Sequence, residues 1–100
     1  MSTEITARHA QINERLQQYA REQADTLCAE FPKVEHVHVI LGFERRLYQA
    51  EFVVQVKGAQ VVGVGEHGEN VMTAIDEAMD KVTRQLRKQR DKQVEARHGN

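Results

Sequence analysis

The sequence predicts an α+β domain in the order β-α-β-β-β-α, a mostly antiparallel four-stranded sheet with two helices packed on one face. Three observations carry that prediction. Apolar residues recur at three- and four-residue steps over residues 13–32 and again from 70 to the mid-nineties, the mark of two amphipathic helices. Between them the apolar period falls to two in consecutive short runs, as in strands with one buried face. Finally, 100 residues with 40% hydrophobic and 29% charged side chains suffice for one core and lie outside disordered, collagen-like or disulfide-knotted compositions.

Each element follows in order. Ile5, set among polar neighbours, permits a short strand at the amino end. Asn13 is a candidate N-cap for a first helix whose face is Leu16, Tyr19, Ala20, Ala24, Leu27 and Phe31. Pro32, the only proline, stops it, because the residue before a proline is pushed out of the helical region. From Val34 the inner residues are Val37, Val39, Leu41 and Phe43, alternating with His36, His38, Ile40 and Gly42. Tyr48, Ala50, Phe52, Val54 and Val56 form the inner face of the next strand, and Glu44 to Leu47 is short enough for a hairpin. Lys57-Gly58-Ala59 turns the chain into a third strand, Val61 to Gly65, which Gly63 and Gly65 should weaken. The last helix begins near Asn70 with a stripe of Val71, Ile75, Ala78, Val82 and Leu86, and its final turns should project beyond the core. The expected organisation is one domain over residues 1–96 with a flexible tail at 97–100.

Several function classes are disfavoured. No apolar run approaches the ~18 residues that cross a bilayer, and Met1-Ser2-Thr3-Glu4-Ile5 lacks the basic and apolar regions of a signal peptide. Cys28, the lone cysteine, cannot form an internal disulfide, which fits a reducing compartment, and the expected location is cytoplasmic. His36 and His38 share a strand face, but two ligands make no zinc site, and neither CxxC nor HExxH supplies more. Cys28 has no identifiable acid–base partner, and Gly63-Val64-Gly65 is too short for a phosphate loop. No catalytic residue, metal, cofactor or small-molecule substrate is expected.

The charge, by contrast, is sorted. Residues 1–80 carry seven Lys or Arg against thirteen Asp or Glu, whereas residues 81–100 carry seven against two, so a net charge of −1 conceals a basic end. At 100° per residue, Lys81, Arg84, Lys88 and Lys92 fall on one flank of the last helix, and Arg87 and Arg90 extend the charge around the outside. Arg45 and Arg46 stand at the hairpin tip, and Arg8 precedes the first helix. Such a ridge suits a polyanion, since neutralised phosphates release counterions. Aromatic residues are only 5% of the chain, and Tyr48 and Phe52 belong to the core face, so backbone and shape recognition is favoured over base stacking.

The stretch Ile75-Asp76-Glu77-Ala78-Met79-Asp80-Lys81-Val82-Thr83-Arg84-Gln85-Leu86-Arg87-Lys88-Gln89-Arg90-Asp91-Lys92 closely resembles the second helix of the bacterial ribosome hibernation promoting factors, the sigma-54 modulation protein family. The resemblance continues through Ile5-Thr6 with Ile12, Leu16 to Phe31, His36 to Leu41 leading to Glu44-Arg45, and Val56-Lys57-Gly58. It departs at Asn70-Val71-Met72, where the family often has Asp-x-Tyr, and at Gln17, Gln23 and Thr26, where members often carry cations. The resemblance implies a β-α-β-β-β-α fold and a non-enzymatic stress and stationary-phase factor. Such a factor binds the small ribosomal subunit in the messenger and transfer RNA channel and blocks translation. Matching basic positions are Lys81, Arg84, Lys88, Arg90 and Lys92, with Arg45 at the hairpin; Arg87, Arg46 and Arg8 add charge. The implied partners are the small subunit and its ribosomal RNA, with a separate ribosome modulation factor that promotes ribosome dimers, and the free protein is expected to be monomeric with no membrane partner. A sister group, the ribosome-associated inhibitors, holds single ribosomes inactive instead. Three other classes compete. A double-stranded RNA-binding domain would want lysines where Asn70, Asp76 and Glu77 stand; an oligomerising module would use a strand edge; and a small ferredoxin-like enzyme would need an acid–base pair that is not evident.

Overall fold

The computed structural model describes residues 2–8 and 12–98, with side chains described as far as Arg90. The elements are β1 (Ser2–Ala7), α1 (Glu14–Glu30), β2 (Val34–Glu44), β3 (Leu47–Val56), β4 (Ala59–His67) and α2 (Val71–His98). They form one four-stranded sheet in the order β1-β2-β3-β4 with both helices on one side. The sheet is mixed. β1 runs parallel to β2, Ser2 opposite His36 through Ala7 opposite Leu41, and the other pairs are antiparallel. The parallel pair follows from α1, because a helical crossover returns the chain in the direction it left.

Local chemistry sets the helix ends. The Asn13 side chain accepts the Leu16 backbone N–H at 3.1 Å, and the Phe31 N–H donates to the Leu27 carbonyl at 2.9 Å just before Pro32. At the start of α2, Asn70 accepts the Met72 and Thr73 N–H groups at 2.9 and 3.3 Å. His67 Nδ1 accepts the N–H groups of Glu69 and Asn70, which closes the loop in front of that cap.

The core lies between helices and sheet. Val37, Val39 and Leu41 of β2, Ala50, Phe52 and Val54 of β3, and Ala74, Ile75, Ala78 and Val82 of α2 are fully buried. Ala20, Ala24 and Leu27 close it from α1. Val34 joins this face although it is three residues from Val37, because the β2–β3 register shifts between Val34 and His36. The extra residue, Glu35, is taken up as a bulge.

Gly63 and Gly65 do not shorten β4, contrary to the expectation that they weaken it. Both face α2. A Cβ at Gly63 would sit 2.7 Å from the Ala78 carbonyl oxygen and 2.8 Å from Val82 Cγ1, and one at Gly65 would overlap the Ala74 carbonyl. These positions lack side chains so that α2 can lie directly on the strand.

Candidate nucleic-acid interface

The direction of α2 decides which cations share a surface. The Lys81 Nζ donates to the Val64 carbonyl at 2.7 Å and Gln85 Nε2 to the Val62 carbonyl at 2.9 Å, so the helix descends antiparallel to β4. Its basic half therefore lies toward the β3–β4 turn, and residues 91–98 carry it roughly 12 Å further at 1.5 Å per residue. The β2–β3 hairpin is at the other end of the sheet. Val64 pairs with Glu51, and five more strand residues, about 17 Å, separate that level from Arg46. Lys81 and Gln85 also cover two carbonyls of the β4 edge, which blunts it against strand addition.

The nine basic residues singled out from sequence thus divide into three groups. On the β4 flank of α2, Lys81 is held by Val64 and by Glu77 at 3.3 Å, and Arg84 pairs with Asp80 at 3.1 Å. Lys88 is exposed and has no partner among the described residues, while the Lys92 side chain lies outside them. On the opposite flank, Arg87 binds Glu30 of α1 at 3.1 Å, and the Arg90 guanidinium lies 5.3 Å from the centre of the Phe31 ring. These two arginines clamp α2 to α1 as well as charging its surface.

The third group is at the far end. β2 and β3 join through a two-residue turn in which Arg45 and Arg46 have φ of 52° and 65°. Positive φ at both central residues is the geometry in which Asn-Gly is preferred, and arginine there stores backbone strain. Both side chains are exposed, with no partner among the described residues. Arg8 follows β1, its N–H donating to the Leu41 carbonyl at 2.9 Å, and stands toward the hairpin end rather than beside α2. The strain at Arg45 and Arg46 is invisible to a sequence reading, since the usual signal for such a turn is Asn-Gly or Asp-Gly.

Other candidates take structural roles. His36 Nδ1 lies 2.5 Å from the Ser2 hydroxyl, His38 Nε2 lies 2.8 Å from the Thr6 hydroxyl, and Glu4 sits between the two rings, so this cluster fastens β1 to β2. Among the described residues no group of three or more His, Cys, Asp or Glu side chains is arranged to hold a metal ion. Cys28 is buried in the α1 face, where desolvation pushes its thiol up, away from the reactive thiolate. Tyr19 donates a hydrogen bond to Asp76, joining the helices, and that bond, with some burial, pushes the phenol up to about 12.

Fold and charge together define a class: small β-α-β-β-β-α domains that end in a long basic helix. The family model described as "Sigma 54 modulation protein / S30EA ribosomal protein" matches residues 3–94, and the chain belongs to that family. It is 33% identical over 93 residues to a ribosome hibernation promoting factor of Pseudomonas putida, covering 93% of this chain and 90% of the relative. A protein of the same name from Azotobacter vinelandii is 33% identical over 99 residues, covering 99% and 92%. Among solved structures, a ribosomal subunit interface protein from Coxiella burnetii superposes with a TM-score of 0.79 at 17% identity, over 91% of this chain and 99% of that one. The Protein Y N-terminal domain of Thermus thermophilus does so with a TM-score of 0.73 at 22% identity, over 88% and 98%. These two likenesses bear out the fold.

Proposed function

We propose that this protein is a non-enzymatic ribosome hibernation factor, acting in the cytoplasm on the small ribosomal subunit. It occupies the messenger and transfer RNA channel, contacts ribosomal RNA through α2 and the β2–β3 hairpin, and inhibits translation while preserving inactive ribosomes in stationary phase or stress. The names of relatives matched over 90% and 92% of their own length support the ribosomal partner. The observation that carries the contact surface is the placement of exposed cations in two separate groups, Arg84 and Lys88 on α2 and Arg45 and Arg46 at the hairpin tip, along an elongated body of 52 × 23 × 18 Å. A channel walled by phosphates can engage both groups of such a body at once. The covered β4 edge favours a free monomer over a self-associating module, and the factor assists ribosome dimers together with a separate modulation factor. No described helix is long and apolar enough to cross a membrane.

The test is co-sedimentation with isolated small subunits, large subunits and whole ribosomes at low and moderate salt. Retention on small subunits that weakens with salt and is lost when messenger and transfer RNA fill the channel is the expected result. Absence of binding at both salt concentrations, or binding indifferent to those competitors, refutes the reading.

A further inference from the structure

We propose that the open face of the sheet, opposite the helices, is a docking surface for a basic protein segment that presents lysine or arginine beside aliphatic side chains. Strand parity and the register place the outward residues: Ser2, Glu4 and Thr6 on β1, His36 to Glu44 at alternate positions on β2, Leu47 to Gln55 on β3, and Gln60 to Glu66 on β4. Two features distinguish this face. Its centre is aliphatic: Val53 pairs with Val62, Val64 lies beside them across from Glu51, and Ile40 pairs with Glu51 on the other side. Val62 and Val64 are 39% and 41% exposed, well above the other valines of the sheet core.

Its strand residues carry charge of one sign. The outward strand residues include Glu4, Glu44, Glu51 and Glu66 and neither lysine nor arginine. Arg8, just past β1, is a cation at its corner. The lysines and arginines of α2 stand on the helix side of the sheet, with Lys81 reaching the β4 edge at the Val64 carbonyl, so the domain is two-faced although its net charge is only −1. Between the strands a notch opens at Gly42, where an added Cβ would meet nothing within 4 Å. Arg8, Ile40, Glu44, Gln49, Glu51 and Val64 line it. A slot with an aliphatic floor, an amide and two carboxylates against one guanidinium keeps a net negative charge and suits the apolar stem and charged head of a lysine or arginine side chain. Nucleic acid and anionic lipid are repelled by the same carboxylates. Charge complementarity therefore commits the surface to a cationic polypeptide, leaving α2 and the hairpin tip for RNA.

The experiment is an amide chemical-shift titration of the isotope-labelled full chain with a seven-residue peptide alternating lysine and valine, and with a glutamate–valine peptide as control. The expected result is saturable binding of the lysine peptide alone, with shifts gathered at Ile40, Gly42, Glu51, Val62 and Val64. Glu44→Gln with Glu51→Gln weakens it at least tenfold, Val64→Lys does the same, and Arg8→Gln strengthens it severalfold. A short RNA duplex moves α2 signals without displacing the peptide. Shifts gathered elsewhere, affinity unchanged in the carboxylate variants, no saturation up to millimolar peptide, or RNA that lands on the sheet face would each overturn the proposal. A chain that fails on ribosomes but binds the peptide separates this inference from the hibernation reading.

Discussion

Replacing Arg45 and Arg46 by Asn and Gly should make the protein more stable and less able to hold a small ribosomal subunit. The two residues occupy φ of 52° and 65°, a region that costs an L-residue with a bulky side chain roughly 1–2 kcal/mol. Asn tolerates that region and Gly enters it without steric cost, although glycine also loosens the unfolded chain by roughly 0.4–1 kcal/mol. The net expectation for Arg45→Asn with Arg46→Gly is a gain of about 1–2 kcal/mol, which for a domain of this size raises Tm by roughly 5–10 °C. Binding moves the other way. Losing two phosphate contacts should reduce the slope of log affinity against log salt by about 2 and weaken binding most at low salt. Differential scanning calorimetry and co-sedimentation across a salt series read the two effects separately. A Tm that is unchanged or lower would show that the turn is not strained; a slope equal to the parent's would remove the hairpin from the RNA interface.

Other perturbations have equally definite outcomes. Gly65→Ala places a Cβ against the backbone of Ala74 and 2.8 Å from the Ala78 nitrogen, so α2 itself must shift; a loss near 3 kcal/mol, about the upper end for overpacking, is expected in urea melts, with Gly63→Ala milder and Gly42→Ala close to neutral. Tyr19 keeps its proton in the folded state to about 12 against about 10 when unfolded, so its contribution is complete below pH 10 and is lost as pH rises from 10 through 12; Tyr19→Phe should flatten that part of the stability profile, and an unchanged profile would deny the Asp76 bond this role. Lys88→Glu combined with Lys92→Glu should weaken small-subunit binding severalfold at low salt with Tm unchanged, and unaltered affinity would reject the α2 ridge.

The sequence made most of the fold legible because its signals were local. Alternation in Val37–Val39–Leu41 and in Ala50–Phe52–Val54 identifies the core face whatever lies beyond it, and Asn13 and Pro32 bracket α1 by backbone chemistry alone. Features set by partners distant in the chain were not legible. The parallel pairing of β1 depends on where α1 returns the chain, and the role of Gly63 and Gly65 depends on Ala74, Ala78 and Val82 lying over them. The same limit applies to the basic residues. Helical spacing put Arg87 and Arg90 on the outside, but only the packing of α1 against α2 brings Glu30 and Phe31 to meet them.

Those partners bear on how the cations would rank in binding RNA. The Arg84–Asp80 and Arg87–Glu30 pairs are exposed, and pairs of that kind contribute roughly 0–1 kcal/mol, less than a charge-assisted bond to phosphate at about 1.5–3 kcal/mol. A phosphate can therefore take either guanidinium from its carboxylate at small cost. Lys81 differs, because leaving Val64 also uncovers a carbonyl on the edge of β4. Arg45, Arg46 and Lys88 break no described contact when they engage RNA. Alanine substitution should thus reduce small-subunit affinity most at these three, less at Arg84 and Arg87, and least at Lys81, whose replacement should show instead as increased self-association through the exposed β4 edge. Sedimentation of each variant with and without small subunits measures both quantities. If Lys81→Ala proved the most damaging to ribosome binding while remaining monomeric, α2 would have to leave its contact with β4 to meet the RNA, and the ranking drawn from the resting structure would be wrong.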